Sequence, residues 1–266
     1  MGDASPQFLT IGTGVAERRI ACLVEPGTND GRPGVMWFPG FKSDMISTKA
    51  TVLADWATSR GVACTRFDYS GHGQSGGEFR DGTVGRWLEE SAAVFAQFAS
   101  GPQIFVGSSM GGHIALLLLR QLMRAQQAEA ARVRALVLIA PAWDMTERLM
   151  WDRFPESVRK TIESDGVYLR PSQYGDEPYA ITRKLIEEGR NHLIGTVPFD
   201  PGRPVHILHG LQDPDVPWEH TLDLVAHLSG DWTTVSAVPD GEHRLSRPED
   251  LERLTSTLDR LIEQIQ

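Results

Sequence analysis

The chain has 266 residues, of which 41% are hydrophobic and 23% are charged, a composition typical of a globular protein with a sizeable core. This length allows one large domain or two small ones. The 35 acidic residues outnumber the 26 basic residues, so that the formal charge is −9, and the sequence contains no basic run. The charge argues against nucleic acid and anionic membrane surfaces as partners.

Cysteine usage and the N-terminal residues bear on cellular location. Cys22 and Cys64 are too few for a disulfide framework and offer no paired metal-ligand spacing, so we expect a reducing compartment. The opening MGDASPQFLTIG carries an acid rather than the basic and apolar regions of a secretory signal. The longest apolar run, 114–119, is too short to span a bilayer. We therefore predict a cytoplasmic protein without an integral membrane segment.

Short β-branched segments alternate with longer amphipathic segments along most of the chain, a pattern typical of α/β proteins. A Gly-rich turn between the first two segments predicts a hairpin. The sequence therefore predicts a mostly parallel central sheet flanked by helices. The predicted strands are 8–11, 18–24, 35–40, 62–69, 103–107, 133–142, 204–210 and 232–239, and the predicted helices are 48–60, 84–99, 110–127, 219–228 and 249–265.

The segment 143–199 interrupts this alternation. It shows no strand pattern, only the helix-like pieces 148–163 and 178–188. Because a structureless loop of this length is uncommon, we predict a small helical cap inserted into a single α/β core formed by residues 1–142 and 200–266. The alternative is a set of additional core helices with no role as a lid. The segment is also rich in aromatic residues, namely Trp143, Trp151, Phe154, Tyr168, Tyr174 and Tyr179.

The pattern G-x-S-x-G, which places a nucleophilic serine on a sharp strand-to-helix turn, occurs twice. The match centred on Ser109 follows the apolar strand QIFVG and opens the apolar helix MGGHIALLLLRQL. The match centred on Ser75 is followed by GGEFRDGTVG, which is polar, rich in glycine and not typical of a helix. Ser109 is therefore the candidate nucleophile, and Ser75 is interpreted as a chance match.

A serine nucleophile needs a histidine base and an acid that orients this base. In proteins with a G-x-S-x-G turn on a parallel sheet, the acid and then the histidine each come after a strand that follows the serine in the sequence. Asp213 comes just after the strand PVHILHG, and the tight turn at Pro214 favours it over Asp215. His243 lies on a turn after the last predicted strand. The other histidines considered are His72 in a Gly-rich loop, His113 on a helix, and His206 and His209 within a strand.

The negative oxygen of a tetrahedral intermediate needs hydrogen-bond donors. We expect one to be the backbone N–H of Met110, directly after the nucleophile. The other is expected to be the N–H of Phe41, in the turn that follows the strand VMWFPG. The alternative interpretation of Pro39-Gly40-Phe41 is a plain turn. Phe41 and Trp218 are also candidates for contact with an acyl group.

The Gly-rich loop SGHGQSGG invites comparison with phosphate-binding loops. It lacks the Lys-Ser/Thr pair of a P-loop and does not lead into a helix, so we expect it to pack near the nucleophile instead. Asp44, Asp68 and Asp240 have no partner at ligand spacing on one helix face. The sequence thus predicts neither a bound cofactor nor a metal.

Four separate segments, WFPGFKSDM, RFDYSGHGQSGG, GPQIFVGSSMGG and HGLQDPDVPW, resemble the α/β-hydrolase superfamily. Together they are similar to the abhydrolase-domain acyl-protein thioesterases found in mitochondria, which remove palmitoyl groups and also cleave acyl glucuronides. The resemblance extends from about residue 35 to the final helix. It implies that Ser109, Asp213 and His243 are nucleophile, acid and base, and that Phe41 and Met110 supply the oxyanion donors.

Two features depart from the pattern of this family. The N-terminal residues contain no organellar targeting segment, which favours a bacterial-type cytoplasmic relative. Pro39-Gly40 stands where many superfamily members carry His-Gly, a change that removes a side chain but leaves the backbone donor in place.

These patterns predict a serine hydrolase that cleaves acyl esters or thioesters through an acyl-enzyme on Ser109. Its substrate would be an acylated small molecule or an acylated protein. One alternative is hydrolysis of a C–C bond or a lactone by the same three residues. Another is a non-catalytic, ligand-binding member of the same fold.

Overall fold

The computed structural model describes residues 5–28, 30–171, 178–195 and 197–265. Within these residues, no helix is long and apolar enough to cross a membrane. The strands are β1 (Gln7–Ile11), β2 (Arg18–Glu25), β3 (Gly34–Phe38), β4 (Cys64–Phe67), β5 (Gln103–Ser108), β6 (Val133–Ile139), β7 (Val167–Arg170), β8 (Tyr179–Thr182), β9 (Val205–Gly210) and β10 (Thr233–Val238). The α-helices are α1 (Thr48–Arg60), α2 (Val84–Phe98), α3 (Met110–Ala125), α4 (Gln127–Arg132), α5 (Glu156–Asp165), α6 (Arg183–Gly189), α7 (Trp218–His227) and α8 (Pro248–Ile265).

The central sheet has the strand order β1-β2-β4-β3-β5-β6-β9-β10. The expected hairpin is formed by β1 and β2, which pair antiparallel, as do β2 and β4. All other neighbours in this sheet pair in parallel. The prediction of a mostly parallel sheet is confirmed. Because the carboxyl ends of parallel strands meet at one edge, the loops that follow β3, β5, β9 and β10 lie close together there.

Side chains that alternate along the strands form apolar layers on both faces of the sheet. Met36 and Phe38 of β3 belong to one buried cluster with residues of α2 and α3. Val35 and Trp37 belong to a second cluster with residues of α1 and α8. Full burial of such a side chain contributes about 1.5–3 kcal/mol to the free energy of unfolding. Both faces of β3 and β5 are therefore fixed, and so are the loops that these strands carry.

The elements of the sheet differ from their predicted bounds by a few residues. The predicted strand 62–69 is shorter in the structure, where β4 ends at Phe67 and the chain then turns. The predicted helix 110–127 ends at Ala125, and the short helix α4, which was not predicted, follows it. Gln126, with extended φ of −145°, separates these two helices.

The prediction that segment 143–199 contains helices but no strands was wrong. β7 and β8 lie in this segment and form an antiparallel pair in which Val167 is opposite Thr182. Each strand has only four residues, too few to produce a recognisable alternation in the sequence. The predicted helix 178–188 is consequently divided into β8 and the helix α6.

The other predicted helix of this segment, 148–163, is also divided. A π-helical turn, Thr146–Trp151, is followed by α5, and Pro155 at the N-cap separates the two because its ring disfavours a continuous helix. The segment is closed at its base by Asp144. Its carboxylate accepts hydrogen bonds from the N–H groups of Ile194 (2.7 Å) and Gly195 (2.9 Å), which joins the two ends of the insertion.

Candidate active site

Ser109 lies on a sharp turn between β5, which ends at Ser108, and α3, which begins at Met110. Its backbone angles, φ 55° and ψ −119°, are strained for a residue with a side chain. Gly111 permits the turn, because a Cβ atom there would lie 2.0 Å from the carbonyl oxygen of Phe38 on β3. The Ser109 side chain is thus presented at the carboxyl edge of the sheet, as the motif predicts.

The second motif serine, Ser75, has a different environment. Its hydroxyl donates a hydrogen bond to the carbonyl oxygen of Asp68 (2.6 Å) and accepts one from the N–H of Ala21 (2.8 Å). These hydrogen bonds join the Gly-rich loop to β2 and to the residue that directly follows β4. The hydroxyl of Ser75 therefore has a structural role, and its bonding partners are backbone groups instead of a histidine.

Three side chains from separate loops meet in one hydrogen-bonded chain. The Nε2 atom of His243 lies 3.1 Å from the Oγ of Ser109. On the other side of the ring, Nδ1 lies 2.7 Å from Oδ2 of Asp213. Because a carboxylate oxygen only accepts, Nδ1 carries the proton and Nε2 is left to accept from the serine hydroxyl. The structure therefore brings together the three residues that were predicted as nucleophile, base and acid.

Asp213 and its rival Asp215 have distinct roles in the structure. The Asp213 side chain is fully buried, and its Oδ1 accepts hydrogen bonds from the N–H groups of Asp215 and Val216, both at 2.8 Å. The carboxylate of Asp215 instead lies 3.6 Å from the Arg170 guanidinium on β7. Backbone donors thus fix the orientation of the Asp213 carboxylate, while Asp215 faces the inserted segment.

The other histidines make contacts within the fold. His113 is buried beside the carboxylate of Asp144, at 3.4 Å. The Nδ1 atom of His209 lies 2.9 Å from the hydroxyl of Thr221, and burial lowers the pKa of His209. Burial likewise lowers the pKa of His206, which lies beside strand hydroxyls. These partners are typical of histidines that stabilise packing.

One predicted oxyanion donor directly follows Ser109 in the chain, and the other lies on a loop that packs against Ser109. Met110 is the first residue of α3, where backbone N–H groups have no intrahelical acceptor. A Cβ atom on Gly40 would lie 3.5 Å from the Cβ of Ser109, so the loop after β3 that carries Phe41 packs directly against the nucleophile. Within the described residues, neither the Phe41 nor the Met110 N–H has a protein acceptor. Both are therefore available to a bound ligand.

A cleft of about 870 Å³ opens above Ser109 and His243. Its apolar side comes mostly from the inserted segment and includes Met145, Leu149, Met150, Tyr179, Ile181 and Val216. Phe41 also lines the cleft, as expected, whereas Trp218 packs against the ring of His209 at 5.5 Å. Tyr174, one of the aromatic residues singled out from the sequence, lies outside the described residues.

Part of the cleft lining is polar and rich in cations. It includes Lys42, Lys49, Arg170 and Arg244, together with the carboxylates of Asp44 and Asp215. None of these residues except the rival acid was singled out for the site from the sequence, because no local motif marks them. They come from loops, from the strand β7 and from the helix α1, so only the tertiary structure reveals that they share a cleft.

One group in the described part of the chain has the composition of a metal site. Asp213, Asp215 and His243 each place a ligand atom within 4.8 Å of the others. Nδ1 of His243 and Oδ2 of Asp213 are joined by a hydrogen bond, and the second oxygen of Asp213 accepts hydrogen bonds from two backbone N–H groups. A metal ion would have to displace these bonds, so the donor set fits a proton relay better than a metal.

Comparison with known proteins agrees with this architecture. A family model described as serine aminopeptidase, S33, matches residues 32–184. The human mitochondrial palmitoyl-protein thioesterase ABHD10 is 32% identical over 234 residues, which are 88% of this chain and 74% of the human protein. The family resemblance noted from the sequence is thereby confirmed.

Solved structures extend the similarity to nearly the whole chain. A protein from Agrobacterium vitis S4, described as a hydrolase, has a TM-score of 0.94 and 44% identity, covering 97% of this chain and 98% of that one. Mouse ABHD10 has a TM-score of 0.85 and 32% identity, covering 99% of this chain and 100% of that one. The chain therefore belongs to the serine aminopeptidase S33 family of α/β hydrolases and is a relative of the ABHD10 palmitoyl-protein thioesterases.

Proposed function

We propose that this hydrolase cleaves acyl esters or thioesters through a covalent acyl-enzyme on Ser109. The observation that carries the proposal is the hydrogen-bonded chain from the Asp213 carboxylate through His243 to the Ser109 hydroxyl. A serine hydroxyl becomes a competent nucleophile when a neighbouring base can take its proton and a third group orients that base. Side chains from three separate loops supply all three groups, and two of them, Ser109 and His243, line the cleft.

In the acylation step, the Oγ of Ser109 forms a bond to the substrate carbonyl carbon while its proton moves to Nε2 of His243. The carbonyl oxygen becomes negative and accepts hydrogen bonds from the N–H groups of Phe41 and Met110. Donors of this kind contribute about 10²–10³-fold each to kcat. The Asp213 carboxylate stabilises the imidazolium that forms, and its buried position strengthens this interaction.

The intermediate collapses when the C–O or C–S bond breaks and His243 gives its proton to the departing oxygen or sulfur. A water molecule then enters, loses a proton to His243 and attacks the acyl carbon. The bond between this carbon and Oγ breaks, His243 returns the proton to Oγ, and the acid is released. Every proton in this sequence moves through the Nε2 atom that faces Ser109. The chemistry requires only protein groups and water.

The lining of the cleft supports a substrate class. The apolar residues Met145, Leu149 and Ile181 suit an acyl chain, and the cationic residues Lys42 and Arg244 suit a polar leaving group. The ABHD10 relatives are named as palmitoyl-protein thioesterases, which supports an acylated thiol as substrate. The family description also names an aminopeptidase activity, so a test panel should include an aminoacyl amide.

We also propose that segment 143–199 acts as a lid that selects the acyl chain. The segment contributes most of the apolar cleft residues, and its contacts with the core include polar links at the rim. Arg170 pairs with Asp215, and the Arg153 guanidinium donates a hydrogen bond to the Asp215 carbonyl oxygen at 3.2 Å. Ion pairs at a solvent-accessible rim contribute little to stability, about 0–1 kcal/mol each, so these links can break at small cost where the rim opens.

Exchange of Ser109 for alanine tests the nucleophile, and Ser75 provides a matched control from the second motif. We expect Ser109→Ala to lower kcat on acyl thioesters and p-nitrophenyl esters by about 10⁴–10⁶-fold while the melting temperature is retained. Ser75→Ala should keep kcat but lower the melting temperature, because two hydrogen-bond partners lose a bond at a cost of about 1–3 kcal/mol. Turnover retained by Ser109→Ala and lost in Ser75→Ala would contradict the assignment.

The two neighbouring aspartates give a second matched pair. Asp213→Asn should lower kcat by about 10⁴-fold, since an amide at this position favours the wrong tautomer of His243. Asp215→Asn keeps the backbone N–H that donates to Asp213 and weakens the ion pair with Arg170, so kcat should change far less. Steady-state kinetics of both variants on one ester decide the assignment. Equal losses would show that the acid is misassigned.

Truncation within the lid separates acyl selection from stability. Leu149→Ala enlarges the cleft and should therefore change the relative kcat/KM values for substrates of different acyl chain length. Trp151 packs under the Arg190 guanidinium, 5.2 Å from its ring, and is not among the described cleft-lining residues, so Trp151→Ala should lower kcat/KM for all chain lengths alike. The measurement is kcat/KM across an ester series together with the melting temperature. A uniform loss in Leu149→Ala that follows stability would exclude the lid role.

A further inference from the structure

We propose that His72, in the Gly-rich loop 70–77, is a positioning residue for the loop that follows β3 and carries Phe41 (the oxyanion loop), and that it holds this loop in its productive conformation. This inference rests on the proposed function, because it concerns the N–H group of Phe41 as an oxyanion donor. It assigns a role to the SGHGQSGG motif, which neither the nucleotide-binding interpretation nor the three predicted catalytic residues explain.

The hydrogen bonds of His72 define which ring nitrogen carries a proton. Nδ1 lies 3.1 Å from the carbonyl oxygen of Ser70, which can only accept, so Nδ1 is the protonated nitrogen. Nε2 therefore carries the lone pair, and it accepts a hydrogen bond from the backbone N–H of Lys42 at 3.2 Å. This bond joins the Gly-rich loop to the residue that directly follows Phe41.

The bond at Lys42 acts on a strained part of the oxyanion loop. Lys42 has φ 60°, in the left-handed region that residues with side chains rarely adopt. The turn is closed by a hydrogen bond from the N–H of Ser43 to the carbonyl oxygen of Gly40 at 3.1 Å. The peptide groups before and after Phe41 share its Cα atom, so a bond that fixes the second peptide also restrains the direction of the first. The N–H of Phe41 belongs to that first peptide.

Aromatic contacts hold the His72 ring in place. The ring lies 5.1 Å from Phe79 and 5.5 Å from Trp87, measured between centroids. Phe41 packs against the same two residues, at 4.9 Å and 6.0 Å. His72 and Phe41 thus share one aromatic cluster. The cluster sets the position of both side chains, and the hydrogen bond to Lys42 sets the orientation of the backbone.

The loop that carries His72 is itself firmly attached. The Asp68 carboxylate accepts hydrogen bonds from the N–H of Gln74 (2.7 Å) and from that of Met45 (2.6 Å), and burial raises the pKa of Asp68 to about 6. Gly73 is required at its position, since a Cβ atom there would lie 2.1 Å from the Asp68 carboxylate. His72 is therefore presented from a fixed support.

His72 must be neutral to accept this hydrogen bond. The residue is 5% exposed, and burial together with the nearby Lys42 charge lowers its pKa to about 4. The lone pair on Nε2 is consequently available across the neutral range. This neutrality distinguishes His72 from a proton-transfer group, because a base with so low a pKa would be weak near pH 7.

Two substitutions with opposite effects on packing and hydrogen bonding test the inference. His72→Phe keeps an aromatic ring in the cluster but removes the acceptor for the Lys42 N–H. His72→Gln loses the ring, but its amide oxygen can reach the position of Nε2 and accept the same bond. The Ser70 carbonyl retains a second donor in both variants, the indole N–H of Trp87 at 3.4 Å. Folding is followed by circular dichroism and melting temperature.

We expect His72→Phe to lower kcat by about 10–100-fold with KM little changed, less than the full loss of an oxyanion donor. A trifluoromethyl ketone, whose tetrahedral adduct uses the same donors, should bind His72→Phe more weakly by a similar factor. His72→Gln should retain higher kcat than His72→Phe even if it melts at a lower temperature. If one variant fails to fold, the inhibitor affinity relative to KM in the other still tests the positioning role.

A purely structural role predicts the reverse order, with kcat following the melting temperature and the inhibitor affinity unchanged relative to KM. That result, or wild-type kcat in His72→Phe, would overturn the inference. The proposed function fails in a different way, since wild-type protein would then hydrolyse no acyl substrate and would not bind the trifluoromethyl ketone. An active wild type with an unaffected His72→Phe variant would overturn only the positioning role.

Discussion

The strained turn at Ser109 is the constraint on which the rest of the site depends. A strained conformation of this kind is maintained only when its surroundings determine it, and here the side chains of β3, β5 and β6 are buried on both faces of the sheet. The N–H of Ser109 donates to the carbonyl oxygen of Ile139, and Gly111 lies against the backbone of Phe38. Many packing contacts and hydrogen bonds around Ser109 therefore offset the conformational strain of the turn. The turn places the Ser109 side chain in the cleft, directly before the N-terminus of α3.

The groups around that turn are held in place by hydrogen bonds. The Asp213 carboxylate is held by two backbone N–H groups, His243 is held by Asp213, and the loop of Phe41 is held by the Gly-rich loop. Preorganised dipoles of this kind stabilise developing charge without reorganisation during the reaction, which is their main contribution to catalysis. The apolar side chains of the cleft come instead mostly from segment 143–199, so the hydrogen-bonded triad and most of the apolar cleft lining belong to different parts of the fold.

The sequence predicted those parts of the protein that depend on local patterns. The parallel sheet followed from β-branched runs, and the position of Ser109 followed from a strand, a glycine pattern and an apolar helix in succession. β7 and β8 were missed because four residues give no usable periodicity. The cleft residues Lys42 and Arg170 and the bond from Lys42 to His72 were missed because they join distant segments. The cytoplasmic location stays a prediction.

Activation of Ser109 as a nucleophile is the property from which the proposed chemistry follows, and a covalent probe tests it in one measurement. An alkyl fluorophosphonate reacts with such a serine when Oγ bonds to phosphorus, fluoride leaves and the proton is taken up by the base. We predict one adduct per chain by intact mass spectrometry, located by peptide mapping at Ser109. An unmodified protein, or an adduct at Ser75 with Ser109 untouched, would contradict the assignment of Ser109.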